Sequence, residues 1–275
     1  MALTSVAQRA LTIVDSRSMP WEGHILHKGS LRKILSVDPS TGGYVHLRYF
    51  PPGAADQTAR VYHSTVRESF FFLSGDYPCW EFTSPAVRDG RILTFRQNTY
   101  MDRRPMGLHA RPPGVHSETG SEMLMWCSHG GNFDADPKET IRVPFEGDFA
   151  KFGNDFTDPL VVETDTLPWQ PHARAGLKLR FIADSSANEA GPVALVYLPP
   201  GWLEAPSRAQ FVPGVGRQFF YVLWGSIGVR ANGQEQKLGT GSYVEWQPSS
   251  KIAFGSIPVA DEGCVMLCVG HELGT

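Results

Sequence analysis

Gly43-Tyr-Val45-His-Leu47-Arg-Tyr49-Phe-Pro51-Pro52-Gly53 decides the architecture, because the chain writes it twice. At an offset of 148 it returns as Gly191-Pro-Val193-Ala-Leu195-Val-Tyr197-Leu-Pro199-Pro200-Gly201. In the first copy, Val45 to Tyr49 alternates apolar with polar residues, the period-two signature of a half-buried strand that a Pro-Pro-Gly turn then closes. Working outward, the same offset carries Val14, Pro20, Trp21 and His24 onto Val162, Pro168, Trp169 and His172. It also carries Leu31-Arg32-x-Ile34 onto Leu179-Arg180-x-Ile182. Ser69-Phe-Phe-Phe-Leu73 before Gly75 finds its partner in Phe219-Phe-Tyr-Val-Leu223 before Gly225, at an offset of 150. Continuous apolar runs of this kind suit strands buried on both faces. Gly120-x-x-Met123-Leu124 meets Gly263-x-x-Met266-Leu267 at an offset of 143. A collinear series of matches means duplication.

Gly and Pro punctuate runs rich in Val, Ile, Tyr, Phe and Trp throughout the chain, and helical periodicity is weak. Only Thr4 to Leu11 reads as a turn or two of helix. The expected fold is all-β: two similar domains, 1–150 and 151–275, joined near Glu146 to Asp158. Composition agrees with a globular protein, since 275 residues with 41% apolar and 19% charged side chains can bury two cores. Lys+Arg of 25 against Asp+Glu of 28 gives a net charge of −3, without a basic stripe, so no nucleic-acid partner is expected. No apolar run approaches the length needed to span a bilayer, so no membrane partner is expected either. Gln8 and Arg9 interrupt the segment where a signal peptide would need its apolar stretch, and a cytoplasmic location is the expectation. Four cysteines, Cys79, Cys127, Cys264 and Cys268, have no zinc-finger spacing, and Cys264 and Cys268 read as buried thiols.

The chemistry concentrates in the first copy. His63-x4-Glu68-x6-Gly75 places an imidazole and a carboxylate on either side of a short turn. Glu68, Phe70 and Phe72 share one strand face, so the carboxylate enters an apolar interior and needs compensation. A metal ion supplies that; so does an ion pair with Arg67 or Arg103. Pro105-x-Gly107-x-His109 brings a second histidine after a turn, and His116 in Pro112-Pro-Gly-Val-His116 is its rival.

These two segments resemble the two motifs of the cupin superfamily, and the whole chain resembles a bicupin. The Pro-Trp opening, the Tyr-x-Pro-Pro-Gly strand end and Arg104-Pro105-x-Gly107-x-His109 are similar to a particular subset of it. That subset holds cupin anti-sigma-factor domains and diketone- and hydroxyketone-cleaving dioxygenases. The resemblance implies tandem double-stranded β-helix, or jelly-roll, barrels. It implies one divalent transition metal per chain on His63, Glu68 and His109, with His116 a possible fourth ligand or the replacement for His109. The family's usual His-x-His is departed from, since Val61 stands where its first histidine would be. Two imidazoles and a carboxylate suit Fe(II) best, and Mn, Ni, Co and Zn accept the same atoms. The implied activity is oxygenation of a small enolisable ketone, diketone or aromatic substrate by O2, with Glu68 and Arg104 in the catalytic site. Arg103, Arg104 and Arg111 are candidate clamps for an anionic substrate. The alternatives are a metal- or ligand-sensing module without turnover and a metal-dependent isomerase or lyase. A homodimer is the expected assembly.

In the second copy the offsets replace His63 by Phe211, Glu68 by Gln218, His109 by Ile252 and His116 by Val259. It is therefore expected to be a degenerate lobe that holds no metal. Gly214-x-Gly216 lacks the third glycine of a dinucleotide loop.

Overall fold

The structure is a computed structural model that describes residues 11–24, 29–54, 61–64, 66–84, 90–110, 115–129, 140–143, 155–172, 176–184, 191–202, 212–213, 217–231, 234–246, 253–254 and 258–272. The side chains of 61–64, 128–129, 140–143, 212–213, 231, 253–254 and 272 stand outside that description. So do Arg111, Phe211, Gly214, Gly216 and Ile252, and all of the proposed helical turn except Leu11, which begins a strand.

Each unit is organised by one long strand that turns at a glycine. Glu68–Phe82 changes partners at Gly75. Its first half pairs with Thr99–Arg103 and Ser121–His129, and its second half with Gly90–Arg96 and His109–Ala110. Gln218–Ala231 repeats the plan about Gly225, pairing first with Ser242–Trp246 and Cys264–Val269, then with Gln234–Gly239 and Ala253–Phe254. All these ladders are antiparallel, and the result is two jelly-roll barrels in tandem. Gly75 and Gly225 both adopt left-handed backbone angles, φ of +71° and +78°. A Cβ on Gly75 would run into the Gly120 carbonyl oxygen, and one on Gly225 into that of Gly263. The glycine matches at offsets of 150 and 143 are thus one structural device used twice.

The compact units are 20–165 on one side, and 1–19 with 166–275 on the other, not 1–150 and 151–275. Strand exchange is the reason. Leu11–Asp15 pairs with Ser242–Trp246, and Leu160–Glu163 pairs with Thr99–Arg103. The repeated residues Val14 and Val162 thereby face Tyr243 and Tyr100, each the leading strand of one copy added to the body of the other.

The repeat also slips by one residue. Leu47 faces Lys33, whereas its counterpart Leu195 faces Arg180, so Lys33 rather than Arg32 is the equivalent of Arg180. Side-chain packing confirms the shift. Lys33 Nζ lies 4.4 Å from the Trp21 ring centre and the Arg180 guanidinium 4.5 Å from that of Trp169. Each indole packs on a tyrosine, Trp21 on Tyr49 and Trp169 on Tyr197. The recurrent tryptophans are therefore packing elements capped by a cation.

The two barrel interiors differ in kind. In the unit containing 166–275 the core is apolar: Leu179, Val196, Phe220, Val222, Val229, Val244, Trp246, Met266 and others. Cys264 and Cys268 are free and buried, with burial pushing the Cys264 thiol up to about 12 and that of Cys268 higher still. His271 stacks on Trp246 with ring centres 4.6 Å apart, and its Nε2–H donates to the Phe219 carbonyl at 3.2 Å. Burial drives its pKa from 6.5 down to about 3, against a smaller opposing effect of that hydrogen bond. Between those values the unfolded chain takes up a proton that the folded chain refuses, so stability falls as pH drops. The loss should reach roughly 4–5 kcal/mol at the acid end, and His271→Leu should flatten that part of a urea-denaturation pH profile.

The strand Gly42–Phe50 in the other unit corrects the half-buried expectation, because both of its faces are buried. Val45 and Leu47 fill one face. The alternating Tyr44, His46, Arg48 and Phe50 point to the barrel interior, where Tyr44 and Phe50 join Phe70, Phe72, Met101, Met123 and Met125. The polar half of the period-two pattern is the inside of the barrel.

Candidate functional site

The polar interior is built from strand register. Glu68, the first residue of its strand, stands directly opposite Arg103, the last residue of Thr99–Arg103. Beyond the turn at Gly75 the same strand returns with Tyr77, Cys79 and Glu81 alternating inward, and Glu81 stands opposite His109. Arg103 therefore meets two carboxylates from one strand. Its Nη1 donates to Glu68 Oε2 at 3.2 Å, its Nε to Glu81 Oε2 at 3.3 Å and its Nη2 to Glu81 Oε1. Nη2 also reaches Cys79 Sγ at 3.6 Å, and the guanidinium lies 5.8 Å from the Phe70 ring centre. All three charged groups are at most 5% exposed. Burial alone would lower the pKa of Arg103. The Glu81 carboxylate, with Cys79 and Glu68, outweighs that and holds it well above the ordinary arginine value.

Arg67 is accounted for elsewhere. Its Nε donates to Asp102 Oδ2 at 2.8 Å, and Asp102 also accepts from Ser69 Oγ at 2.7 Å, on the opposite face of the sheet. Of the two arginines considered as partners of Glu68, the structure selects Arg103. Arg104, one residue on, is exposed, so the clamp beside Glu68 is its neighbour.

His109 is positioned by the Pro105-Met-Gly107 turn. Met106 takes a left-handed φ of 66°, Gly107 N–H donates to the Arg104 carbonyl, and Asp155 N–H donates to that of Met106. A side chain at Gly107 would press on the Arg103 stem, with Cγ 2.8 Å from the added Cβ. His109 is buried, and its Nδ1 lies 2.9 Å from the Gly107 carbonyl oxygen. A carbonyl only accepts, so Nδ1 carries the proton and the lone pair of the neutral ring is on Nε2. This is the orientation that a metal-ligating histidine needs.

The other expected ligands are placed as follows. His63 lies in Val61–Ser64, paired with Ile141 on one side; on the other side its neighbour Tyr62 is paired with His109. The His63 side chain is outside the described residues. His116 is exposed, beside Ser117, which binds Asp76 at 2.9 Å. Among the described residues no group of three or more His, Cys, Asp or Glu side chains is arranged to hold a metal. Glu68 and His109 are two donors of suitable chemistry, and Arg103 engages Glu68 through Oε2. Glu68 and Glu81 bring carboxyl oxygens, donors that suit a cation, to the layer around Arg103. A three-donor set needs His63.

Tyr44 borders the same layer. Burial, with Cys127 and Glu68 and against Arg48, holds its pKa well above the ordinary value, so it stays protonated at neutral pH. In the twin barrel every element of this layer is gone. Gln218 stands opposite Trp246 where Glu68 stands opposite Arg103, and the offsets place Ala231 at Glu81 and Val196 at Arg48. Glu81 was open to sequence reasoning, since Tyr77-x-Cys79-x-Glu81 continues the inward alternation past Gly75.

Three solved structures are similar to this chain in fold. YlbA from Escherichia coli is 12% identical with a TM-score of 0.60, over 98% of this chain and 96% of that one. A formate complex of oxalate decarboxylase from Lactobacillus farciminis is 13% identical with a TM-score of 0.61, over 97% and 87%. A glyoxylate-induced protein from Pseudomonas aeruginosa is 12% identical with a TM-score of 0.60, over 100% and 93%. No family model and no curated protein matches the chain. At such identity the likeness establishes the fold, a pair of jelly-roll barrels, and nothing finer. Among the described residues no helix is long and apolar enough to cross a membrane.

Proposed function

We propose that the chain is a metal-dependent enzyme whose chemistry takes place in the barrel of residues 20–165. The carrying observation is the contrast between twins: one duplicated barrel keeps a buried Glu68–Arg103–Glu81 layer beside His109, and the other is apolar. Such a layer is costly to maintain unless it is used. Glu68, His109 and His63 would hold one divalent transition metal, with Fe(II) the first choice over Mn, Ni, Co and Zn. Bound there, it would supply Lewis acidity and oxygen activation. Arg103 fixes the orientation of Glu68 and Glu81, Tyr44 offers a hydroxyl donor, and Phe70, Phe72, Met101 and Met125 exclude water. The reading is an oxygenase for a small enolisable ketone, diketone or aromatic substrate with O2, acting in the cytoplasm as a homodimer.

Metal analysis of tag-free protein and oxygen uptake on β-diketones and hydroxyketones test this. About one equivalent of iron and substrate-dependent uptake are expected. Glu68→Gln should weaken metal binding more than about 100-fold while the protein still folds, because Glu81 continues to neutralise Arg103. Full metal content in Glu68→Gln removes Glu68 from the site. Metal uptake without turnover on these substrates would favour a sensing module, or an isomerase or lyase, over the oxygenase.

A further inference from the structure

Arg48 is a second buried cation in the same barrel, and the proposed reaction does not use it. It is 9% exposed, on the inward face of Gly42–Phe50. Its Nη2 donates to His24 Nε2 at 2.9 Å, and its guanidinium lies 5.8 Å from the Phe50 ring centre. Its buried Nε–H has no acceptor, and among the described residues it makes no ion pair. A guanidinium only donates, so His24 accepts as a neutral imidazole and brings no charge. Directly across the ladder stands Arg32, also buried and likewise cationic, so the cross-strand neighbour is not a counter-charge for Arg48. The fold does not require either arginine. At the equivalent positions the twin barrel has Val196 and Leu179, facing one another in its apolar core.

Arginine does not escape such burial by losing its proton, so the charge persists and calls for an anion. We propose that Arg48, walled by His24 and His46, is a docking subsite for the carboxylate of a small organic acid inside the barrel of residues 20–165. His46 is held in place by its Nε2 contact to Met125 Sδ at 3.2 Å and by rings on two sides. Tyr44 lies 5.2 Å from it and His24 6.1 Å, centre to centre. The guanidinium fork matches a planar carboxylate. A phosphate dianion fits less well, because its second charge would add to those of Glu68 and Glu81, which are buried in the same barrel. Calling the bound acid a substrate rests on the function proposed above; the binding itself does not.

The test uses the full-length, chelator-treated protein, with thermal shift and calorimetric titration. The probes are pyruvate and benzoate, their uncharged amides, and inorganic phosphate. Carboxylates should raise Tm in a concentration-dependent manner, and the amides should not. Arg48→Leu should bind carboxylates at least 10-fold more weakly, and without ligand it should melt at or above the wild-type temperature. The proposal is overturned if wild type ignores carboxylates, if amides or phosphate bind as well, or if Arg48→Leu keeps its affinity. Should Arg48→Leu fail to fold, Arg48→Gln takes its place, and unchanged carboxylate affinity there overturns the proposal equally. Metal-dependent turnover without carboxylate binding would sink this subsite alone. Carboxylate binding in a protein that takes up no metal would sink the proposed reaction alone.

Discussion

Arg103→Leu should destabilise the protein by about 3–5 kcal/mol at neutral pH, because it strands two buried carboxylates at once. Glu68 and Glu81 are at most 5% exposed, and Arg103 is the cation that both of them face. Urea denaturation of wild type and variant at pH 7 measures the loss. Combining Arg103→Leu with Glu68→Gln and Glu81→Ala should recover most of the loss, because it recreates the apolar pattern of the twin barrel. A single variant as stable as wild type at pH 7 would mean that the layer is hydrated and exerts little hold on the fold.

The other large effect lies at the turning glycines. Gly75→Ala and Gly225→Ala should each lose more than about 3 kcal/mol, combining a left-handed backbone with a direct overlap on a carbonyl oxygen. Gly53 isolates the first contribution. Its φ is +72°, and nothing lies within 4 Å of an added Cβ. Gly53→Ala should therefore lose only about 1 kcal/mol, the conformational part. Melting all three variants side by side separates strain from overlap. Equal losses at Gly53 and Gly75 would show that the close approach to Gly120 relaxes easily.

The fold was legible because duplication and period-two alternation are local signals, and Gly75 and Gly225 mark where each long strand turns. The exchange of Leu11–Asp15 and Leu160–Glu163 was not legible. A strand's pattern records which of its faces is buried and not which ladder it joins, so the apparent boundary at 150 followed the repeat instead of the pairing. The slip that sets Lys33 against Arg180 was hidden for a related reason: Leu-Arg-x-Ile aligns perfectly in sequence while the register differs by one. In the site, Glu68 was readable from its place before the aromatic run. Arg103 and Arg104 were not separable, because which of two adjacent residues points inward depends on where the strand ends. The burial of Arg48 was not legible, because alternation reports two unlike faces without saying which one meets water.

The exchanged strands also set an order of events during synthesis. Residues 11–15 leave the ribosome early, yet their partners at 242–246 follow about 230 residues later, a wait of roughly 10–50 seconds at ordinary elongation rates. Residues 20–165 meet no such delay and can close first, with Leu160–Glu163 arriving as their final strand. Through that interval Leu-Thr-Ile-Val is an unsatisfied β-edge in a nascent chain, open to pairing with another copy. The protein's vulnerability to misassembly is thus greatest until residues 242–246 have been made, and a chaperone that shields residues 11–15 through that interval would remove it.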